Sequence, residues 1–177
     1  TCTVTDANGC TTTTSVTVVE PTQVTSTISG VDILCFGGNN GSATVTPAGG
    51  IGPYTYMWTP SAQTTATATL LTAQAYSCDI TDANGCSITI TITLTEPPVL
   101  SATTSFTQST CSAANGSADV TVTGGAGPYT YVWSSGGTAA LETGLSAATY
   151  TVTYTDANGC TNTATVTVPN AASPAIV

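Results

Sequence analysis

Residues 87–94 alternate strictly between polar and apolar side chains and read SITITITL. A period of two predicts a half-buried β-strand, with isoleucine and leucine pointing inward and threonine outward. Similar short runs rich in Thr, Val and Ile recur along the chain, separated by Gly, Pro and Asn turns at intervals of roughly 8–12 residues. The pattern therefore predicts an all-β fold built from small β-sandwiches.

A hairpin turn precedes this alternating strand. Asn-Gly between two apolar runs favours a tight turn, and the best fit is a three-residue loop with Gly85 in the left-handed conformation. In that register Asp82 faces Cys86, and Ile80 faces Ile88. The side chain of Asp82 is then placed to cap backbone amides of the turn.

The turn hexapeptide Thr-Asp-Ala-Asn-Gly-Cys occurs three times, at 5–10, 81–86 and 155–160. A nearly fixed period indicates tandem repeats. We predict the last hairpin of a preceding repeat, two β-sandwich repeats and a linker to a following segment, at 1–20, 21–96, 97–169 and 170–177. The residues to which we assign a structural turn role are Asp6, Gly9, Asp82, Gly85, Asp156 and Gly159.

Within each complete repeat, Gly-Pro-Tyr-Thr-Tyr-x-Trp is followed by a second aromatic landmark just before the last hairpin. A Trp on the third strand and a Tyr leading into the next-to-last strand predict tandem immunoglobulin-like (PKD/fibronectin-like) sandwiches of about 75 residues. The residues assigned to the two cores are Trp58, Trp133, Tyr76 and Tyr150. An alternative is that Tyr54, Tyr56 and Trp58, which share one strand face, stack on sugar rings.

The composition narrows the function classes. The chain has no Lys, Arg or His and a net charge of −9, so it offers no cation for phosphate and is not expected to bind nucleic acid. Without His, the usual general base and the commonest neutral metal ligand are missing, and no nucleophile–base pair can be assembled. One carboxylate per turn falls far short of the oxygen ligands that calcium needs. We expect no catalysis, metal or cofactor, and no membrane span.

The seven cysteines favour an oxidising compartment and hence secretion. Val152 stands at the position of Cys78, so Cys78 and its counterpart Cys2 are predicted to be buried free thiols. Cys78 lies four residues from Asp82, roughly 13 Å along the strand, whereas Cys86 faces Asp82. A Cys78–Cys86 disulfide is therefore disfavoured.

The remaining disulfide candidates are Cys35, Cys86, Cys111, Cys160 and Cys10. Two arrangements stay open at this point. Bridges could lie within each repeat, joining Cys35 to Cys86 and Cys111 to Cys160. They could instead run between repeats, joining Cys35 to Cys160, because stacked sandwiches bring the first turn of one domain towards the last turn of its neighbour.

Three motifs of the first repeat carry a family resemblance: Cys-Phe-Gly-Gly-Asn-Asn-Gly-Ser-Ala at 35–43, Gly-Gly-x-Gly-Pro-Tyr-Thr-Tyr-x-Trp at 49–58, and the turn at 81–86. Together they resemble the SprB-type repeat of surface adhesins in gliding Bacteroidetes. The second repeat departs slightly, with Ser-Ala-Ala after Cys111 and a loop one residue shorter. The resemblance implies type IX export to the cell surface, long filamentous adhesins, and adhesion to surfaces or polysaccharide during gliding motility.

We therefore predict a non-catalytic structural repeat of an extracellular filament or cell-surface adhesin stalk, whose partners are copies of itself or adjacent repeats. The alternative is a module that binds carbohydrate or a solid surface, and exposure of the two tryptophans distinguishes the two functions. The hairpin at 1–20 allows a window of one long polypeptide or a subunit that polymerises by strand exchange. In both arrangements a neighbouring segment must cover Val4, Val16 and Val18.

Overall fold

The computed structural model describes residues 1–171, and all regular elements in that range are β-strands. Of the predicted linker, residues 172–177 lie outside the described residues. No helix in the described part of the chain is long and apolar enough to cross a membrane. In chain order the strands are β1 Cys2–Thr5, β2 Thr11–Thr14, β3 Thr25–Val31, β4 Gly41–Ala48, β5 Thr55–Thr59, β6 Thr67–Leu71, β7 Ala75–Thr81, β8 Ser87–Thr93, β9 Ser101–Thr107, β10 Gly116–Thr123, β11 Thr130–Trp133, β12 Leu141–Leu145, β13 Ala148–Thr155 and β14 Thr161–Val168.

Each complete repeat folds as two three-stranded antiparallel sheets. In the first repeat the sheet orders are β3-β4-β6 and β5-β7-β8, and in the second they are β9-β10-β12 and β11-β13-β14. The third strand of each repeat leaves the first sheet and pairs in the second, which is the crossover of an immunoglobulin-like sandwich. The chain is thus a tandem pair of immunoglobulin-like β-sandwiches.

The core of each sandwich surrounds its tryptophan. Trp58 is 0% exposed and Trp133 is 2% exposed. Their indole N–H groups donate to the carbonyls of Thr65 at 2.9 Å and Ala139 at 2.8 Å, so burial leaves neither donor unsatisfied. Both tryptophans thus fill the space between the two sheets.

The tyrosine before each last hairpin bonds to the backbone four residues upstream. The Tyr76 hydroxyl donates to the Thr72 carbonyl at 3.1 Å, and the Tyr150 hydroxyl donates to the Ser146 carbonyl at 3.1 Å. These are the contacts of a tyrosine corner. Tyr76 is buried, whereas Tyr150 is only partly buried.

The hairpin formed by β1 and β2 has its apolar side chains in solvent. Val18 is 90% exposed, whereas the residue at the same repeat position, Leu94, is 3% exposed. Cys2 is also exposed, so its predicted burial is wrong. The prediction assumed that Cys2 has the same surroundings as its counterpart Cys78, which is buried in the core of the first sandwich. Residues 1–20 form a single two-stranded sheet with no second layer.

Candidate functional site

The last hairpin of the second repeat is organised by the carboxylate of Asp156. Its Oδ1 accepts backbone N–H bonds from Asn158 at 2.9 Å and Cys160 at 2.8 Å, which closes the turn. Its Oδ2 accepts the N–H of Ala126 at 2.9 Å, which lies in the glycine-rich loop before β11. One buried side chain therefore holds two loops together and fixes the backbone that carries Cys160.

The first repeat contains the same arrangement around Asp82. Its Oδ1 accepts from Asn84 at 2.9 Å and Cys86 at 2.8 Å, and its Oδ2 accepts from Ile51 at 2.9 Å. Ile80 lies opposite Ile88 across this hairpin, which is the register that the sequence pattern predicts. The position of Cys86 is therefore set by the same hydrogen bonds as that of Cys160.

Hydrogen bonding shifts the titration of both carboxyl groups. The backbone N–H of Ile51 is the main cause that lowers the pKa of Asp82, helped by the turn amides and opposed by burial. For Asp156, burial is the largest single influence and raises the pKa. The bonds from Ala126, Cys160 and Asn158 together outweigh it, so the pKa is lowered overall. Both side chains are thereby held in the acceptor-only form that the turn needs.

The glycine-rich loop approaches the aspartate closely. Gly125 has φ +58°, and a Cβ atom built on it would lie 2.6 Å from Asp156 Oδ2. The N–H of Gly125 donates to the carbonyl of Pro98 at 2.8 Å, which ties the loop to the segment entering the second repeat. Hairpin, loop and entering segment thus form one hydrogen-bonded end of the sandwich.

This end of the second sandwich is bonded covalently to the first. Cys35 and Cys160 form a disulfide with a Cα–Cα distance of 5.7 Å and a sequence separation of 125. The bridge therefore joins the first loop of one repeat to the last hairpin of the next. Of the two open arrangements, the pairing within repeats is wrong, because Cys86 and Cys111 are both free.

Hydrogen bonds that the sequence analysis did not anticipate flank the bridge. The side-chain amide of Asn158 donates to the carbonyl of Leu34 at 2.9 Å, from the second repeat to the first. Glu96 Oε2 accepts the N–H of Gly37 at 2.6 Å, so the segment leaving the first repeat braces the loop that carries Cys35.

The other cysteines differ in exposure. Cys2, Cys10, Cys86 and Cys111 are exposed free thiols. Cys78 is buried and lies opposite Trp58 in the sheet. Burial raises the pKa of its thiol, so less of it is in the reactive thiolate form than for an exposed cysteine. No group of three or more potential metal-binding side chains occurs within residues 1–171.

A groove borders the hairpin cysteine in each sandwich. The Cys160 groove lies between residues 97–100 and the start of β14, and its lining includes Cys35 and Phe36 of the first repeat. The Cys86 groove lies between residues 20–24 and the start of β8. Its lining residues all belong to residues 20–88.

The SprB repeat family model matches residues 27–63 and 103–138, once in each sandwich. A comparison with curated proteins finds no match. Among solved structures, the chain is similar to the crystal structure of Down Syndrome Cell Adhesion Molecule (DSCAM) isoform 1.30.30, N-terminal eight Ig domains. The identity is 12% over 86% of this chain and 25% of that chain, with a TM-score of 0.43. This chain thus spans a quarter of the length of that one.

Proposed function

We propose, from the match of the SprB repeat family model to part of each sandwich, that the chain is a structural segment of an extracellular filament or of a cell-surface adhesin stalk. The observation that carries the proposal is the disulfide between Cys35 and Cys160, which joins successive repeats in addition to the peptide backbone. A stalk must keep its domains connected under load, and this bond acts at that connection.

The position of the disulfide determines the path of a pulling force. When the chain is pulled at its two ends, tension runs from the N-terminal end to Cys35, crosses the sulfur–sulfur bond, and continues from Cys160. Strands β4 to β13 lie between those two cysteines in sequence. Most of both sandwiches is therefore outside the load path, which suits a stalk unit that must resist mechanical unfolding.

Two observations support the extracellular and non-catalytic parts of the proposal. A disulfide between repeats persists in oxidising surroundings such as the cell exterior. The sequence has no His, Lys or Arg, which removes the usual general bases and the cationic groups that stabilise a developing negative charge.

The rival carbohydrate-binding function depended on the tryptophans. Both are buried between the sheets, with their indole N–H groups already bonded to backbone carbonyls. Neither ring presents a face on which a sugar could stack. The structural function is therefore the better supported of the two.

Force spectroscopy on the full chain tests the proposal. With handles at both ends, the fully unfolded oxidised chain should have a contour length shorter than that of the reduced chain. The difference corresponds to the separation of 125 residues between the bridged cysteines, roughly 440 Å at about 3.5 Å per residue. Reduction should restore that length. A Cys35→Ser/Cys160→Ser variant should behave like reduced protein, and Cys10→Ser should behave like wild type. Equal contour lengths before and after reduction would contradict the proposal. Specific binding of wild type on a glycan array would instead favour the rival function.

A further inference from the structure

The Leu34 carbonyl is the point at which hydrogen bonding joins the two repeats. It accepts the side-chain N–H of Asn158 at 2.9 Å and lies 3.4 Å from Cys160 Sγ, within reach of the S–H group that this atom carries in the reduced protein. Leu34 directly precedes Cys35, and Asn158 is two residues before Cys160. The contact therefore lies beside both bridging sulfurs and does not depend on the bond between them.

Each side of this contact is held in place by its own repeat. On the second repeat, Asp156 Oδ1 accepts the backbone N–H groups of Asn158 and Cys160. On the first repeat, Asn40 Oδ1 accepts the Leu34 N–H at 3.1 Å. None of these bonds involves a sulfur atom, so oxidation is not required to form either surface.

The segment that connects β8 to β9 is bonded to both repeats. The Thr95 carbonyl accepts the N–H of Ile33 at 3.0 Å, and the Pro98 carbonyl accepts the N–H of Gly125 at 2.8 Å. The range of orientations open to the two sandwiches is therefore restricted before any covalent link forms. This restriction raises the effective concentration of the first loop at the last hairpin of the next repeat.

Cys35 has several possible partners other than Cys160. The chain contains four exposed free thiols, and one of them, Cys86, is nearer to Cys35 in sequence than Cys160 is. In an unfolded chain the loop to Cys86 would close about fourfold more readily, because closure becomes less probable as a loop lengthens. Random oxidation thus favours a wrong bridge, and the observed bridge requires a contact that forms first.

We propose that Asn158 is the positioning residue that selects Cys160 as the partner of Cys35. Its side-chain amide binds the Leu34 carbonyl while both cysteines are still thiols, and the disulfide then seals a joint that is already assembled. This inference rests on the proposed structural function and names the residue that directs its covalent connection. Cys35 and Cys160 supply the bond, and Asn158 determines which cysteines form it.

The sealing step is a thiol–disulfide exchange with a small-molecule disulfide such as oxidised glutathione. The thiolate of one cysteine attacks a sulfur of that disulfide, forms a mixed disulfide and releases one small thiolate. The thiolate of the second cysteine then attacks the protein sulfur of the mixed disulfide and releases the second small thiolate. The protons lost by the two protein thiols are taken up by the released thiolates, so two protein thiols are oxidised and one small disulfide is reduced.

Asn84 provides a matched control for Asn158 within the same chain. It occupies the same position of its turn, and its backbone N–H donates to Asp82 Oδ1 at 2.9 Å, as that of Asn158 donates to Asp156 Oδ1. Among residues 1–171, Asn158 is the one of these two asparagines whose side chain bonds to another repeat. Changing either residue to Asp adds one negative charge to an equivalent turn, but only Asn158→Asp replaces the donor that faces the Leu34 carbonyl by an acceptor.

The test follows oxidation of the folded, reduced full chain at low protein concentration in a glutathione redox buffer. Samples are quenched with iodoacetamide and digested at Asp and Glu, because the chain has no Lys or Arg for trypsin, and mass spectrometry identifies the partner of Cys35. Wild type and Asn84→Asp should form Cys35–Cys160 at similar rates. Asn158→Asp should form it about five- to tenfold more slowly, because a hydrogen bond is lost and two acceptors are opposed. In that variant Cys35 should accumulate as a mixed disulfide with glutathione or joined to another cysteine.

A second pair of variants separates positioning from folding. Asn158→Ala and Asn84→Ala remove the two side chains without adding charge, and the Tm of each reduced variant verifies that it is folded. Asn158→Ala should slow the native bridge about threefold or more, whereas Asn84→Ala should not. Bridge formation at the wild-type rate in either folded Asn158 variant would overturn the inference, because the connecting segment alone would then position the cysteines. Equal slowing by the variants at 84 and 158 would also overturn it.

The failure of this inference can be separated from failure of the proposed function. If the oxidised wild type has the shorter contour length under force while Asn158→Asp forms the Cys35–Cys160 bridge as fast as wild type, only the role of Asn158 is wrong. If peptide mapping finds no Cys35–Cys160 bridge in the oxidised wild type, both proposals fail.

Discussion

Asp156 accepts the backbone N–H of Ala126 at 2.9 Å, although the two residues are 30 positions apart. Through this bond the last hairpin of the repeat is held against the glycine-rich loop that precedes the third strand. The residue that closes a local turn thus also fixes a contact between distant parts of the sandwich, and its charge matters for both.

Acid should destabilise both sandwiches. Because the folded-state pKa values of Asp82 and Asp156 are lowered, their ionised form contributes stability above the ordinary aspartate pKa of about 3.9, and this contribution is lost as pH falls from there through the folded values. Thermal unfolding followed from pH 7 to pH 2 should show a steep loss of Tm below about pH 4.

Replacing the carboxylate isolates this effect. Asp156→Asn replaces one of the two acceptor oxygens by an NH₂ group, although three backbone N–H groups donate to this side chain. We therefore expect Tm at pH 7 to fall by roughly 5 °C or more and the loss of Tm in acid to become smaller. Asp6→Asn removes the same charge from a turn without the long-range bond and should leave the sandwich Tm unchanged. Equal effects of the two substitutions would show that net charge, and not the bond, controls stability.

Two glycines of the second repeat should differ in their tolerance of alanine. Gly159 has φ +83° with open space at the Cβ position, whereas Gly125 has φ +58° and its Cβ would meet Asp156 Oδ2. We expect Gly159→Ala to cost about 1–2 kcal/mol for the left-handed backbone and Gly125→Ala distinctly more, measured by urea denaturation. A larger cost at Gly159 would contradict the close approach.

The tyrosine corners should contribute unequally. The Tyr76 hydroxyl donates to the Thr72 carbonyl and accepts from the Thr72 N–H at 3.0 Å and Gln74 Nε2 at 2.9 Å. Among residues 1–171, the hydroxyl of Tyr150 has hydrogen bonds to Ser146 alone, through its carbonyl and its hydroxyl. Tyr76→Phe should therefore cost about 1–3 kcal/mol and Tyr150→Phe about 1 kcal/mol. Hydrogen exchange measured separately for the two repeats distinguishes these effects, and a greater loss in Tyr150→Phe would contradict the geometry.

The thiols should divide into two classes under native labelling. Cys2, Cys10, Cys86 and Cys111 are exposed and should react with iodoacetamide in the folded chain, whereas Cys78 should react only after denaturation. Peptide mapping by mass spectrometry identifies each site. Native labelling of Cys78 at the rate of Cys10 would show that the core around Trp58 opens readily.

Local sequence patterns predicted much of this fold. Asn-Gly between alternating runs gave the register that places Ile80 opposite Ile88, because a tight turn fixes the pairing of the strands it joins. The Trp and Tyr landmarks indicated an immunoglobulin-like sandwich for a similar reason, since each occupies a position defined within one repeat. These features need only short-range information.

The disulfide could not be chosen from the same information. Whether Cys35 bonds to Cys86 or to Cys160 depends on how one sandwich is placed against the next, and no residue pattern within a repeat encodes that placement. The burial of Cys2 failed for a related reason, because burial requires a second sheet and not a strand pattern alone. The expectation that stacked sandwiches bring the first turn of one domain towards the last turn of its neighbour allowed the bridge between Cys35 and Cys160, but it did not exclude the pairing within repeats.

The bridge between Cys35 and Cys160 turns the intervening polypeptide into a covalent ring. If a protease cuts a single peptide bond anywhere between those two residues, the fragments on either side of the cut stay attached through sulfur. A loop such as residues 134–139 can then be nicked without releasing either end of the molecule. The way the repeats are joined therefore gives tolerance of backbone cleavage as well as resistance to mechanical unfolding.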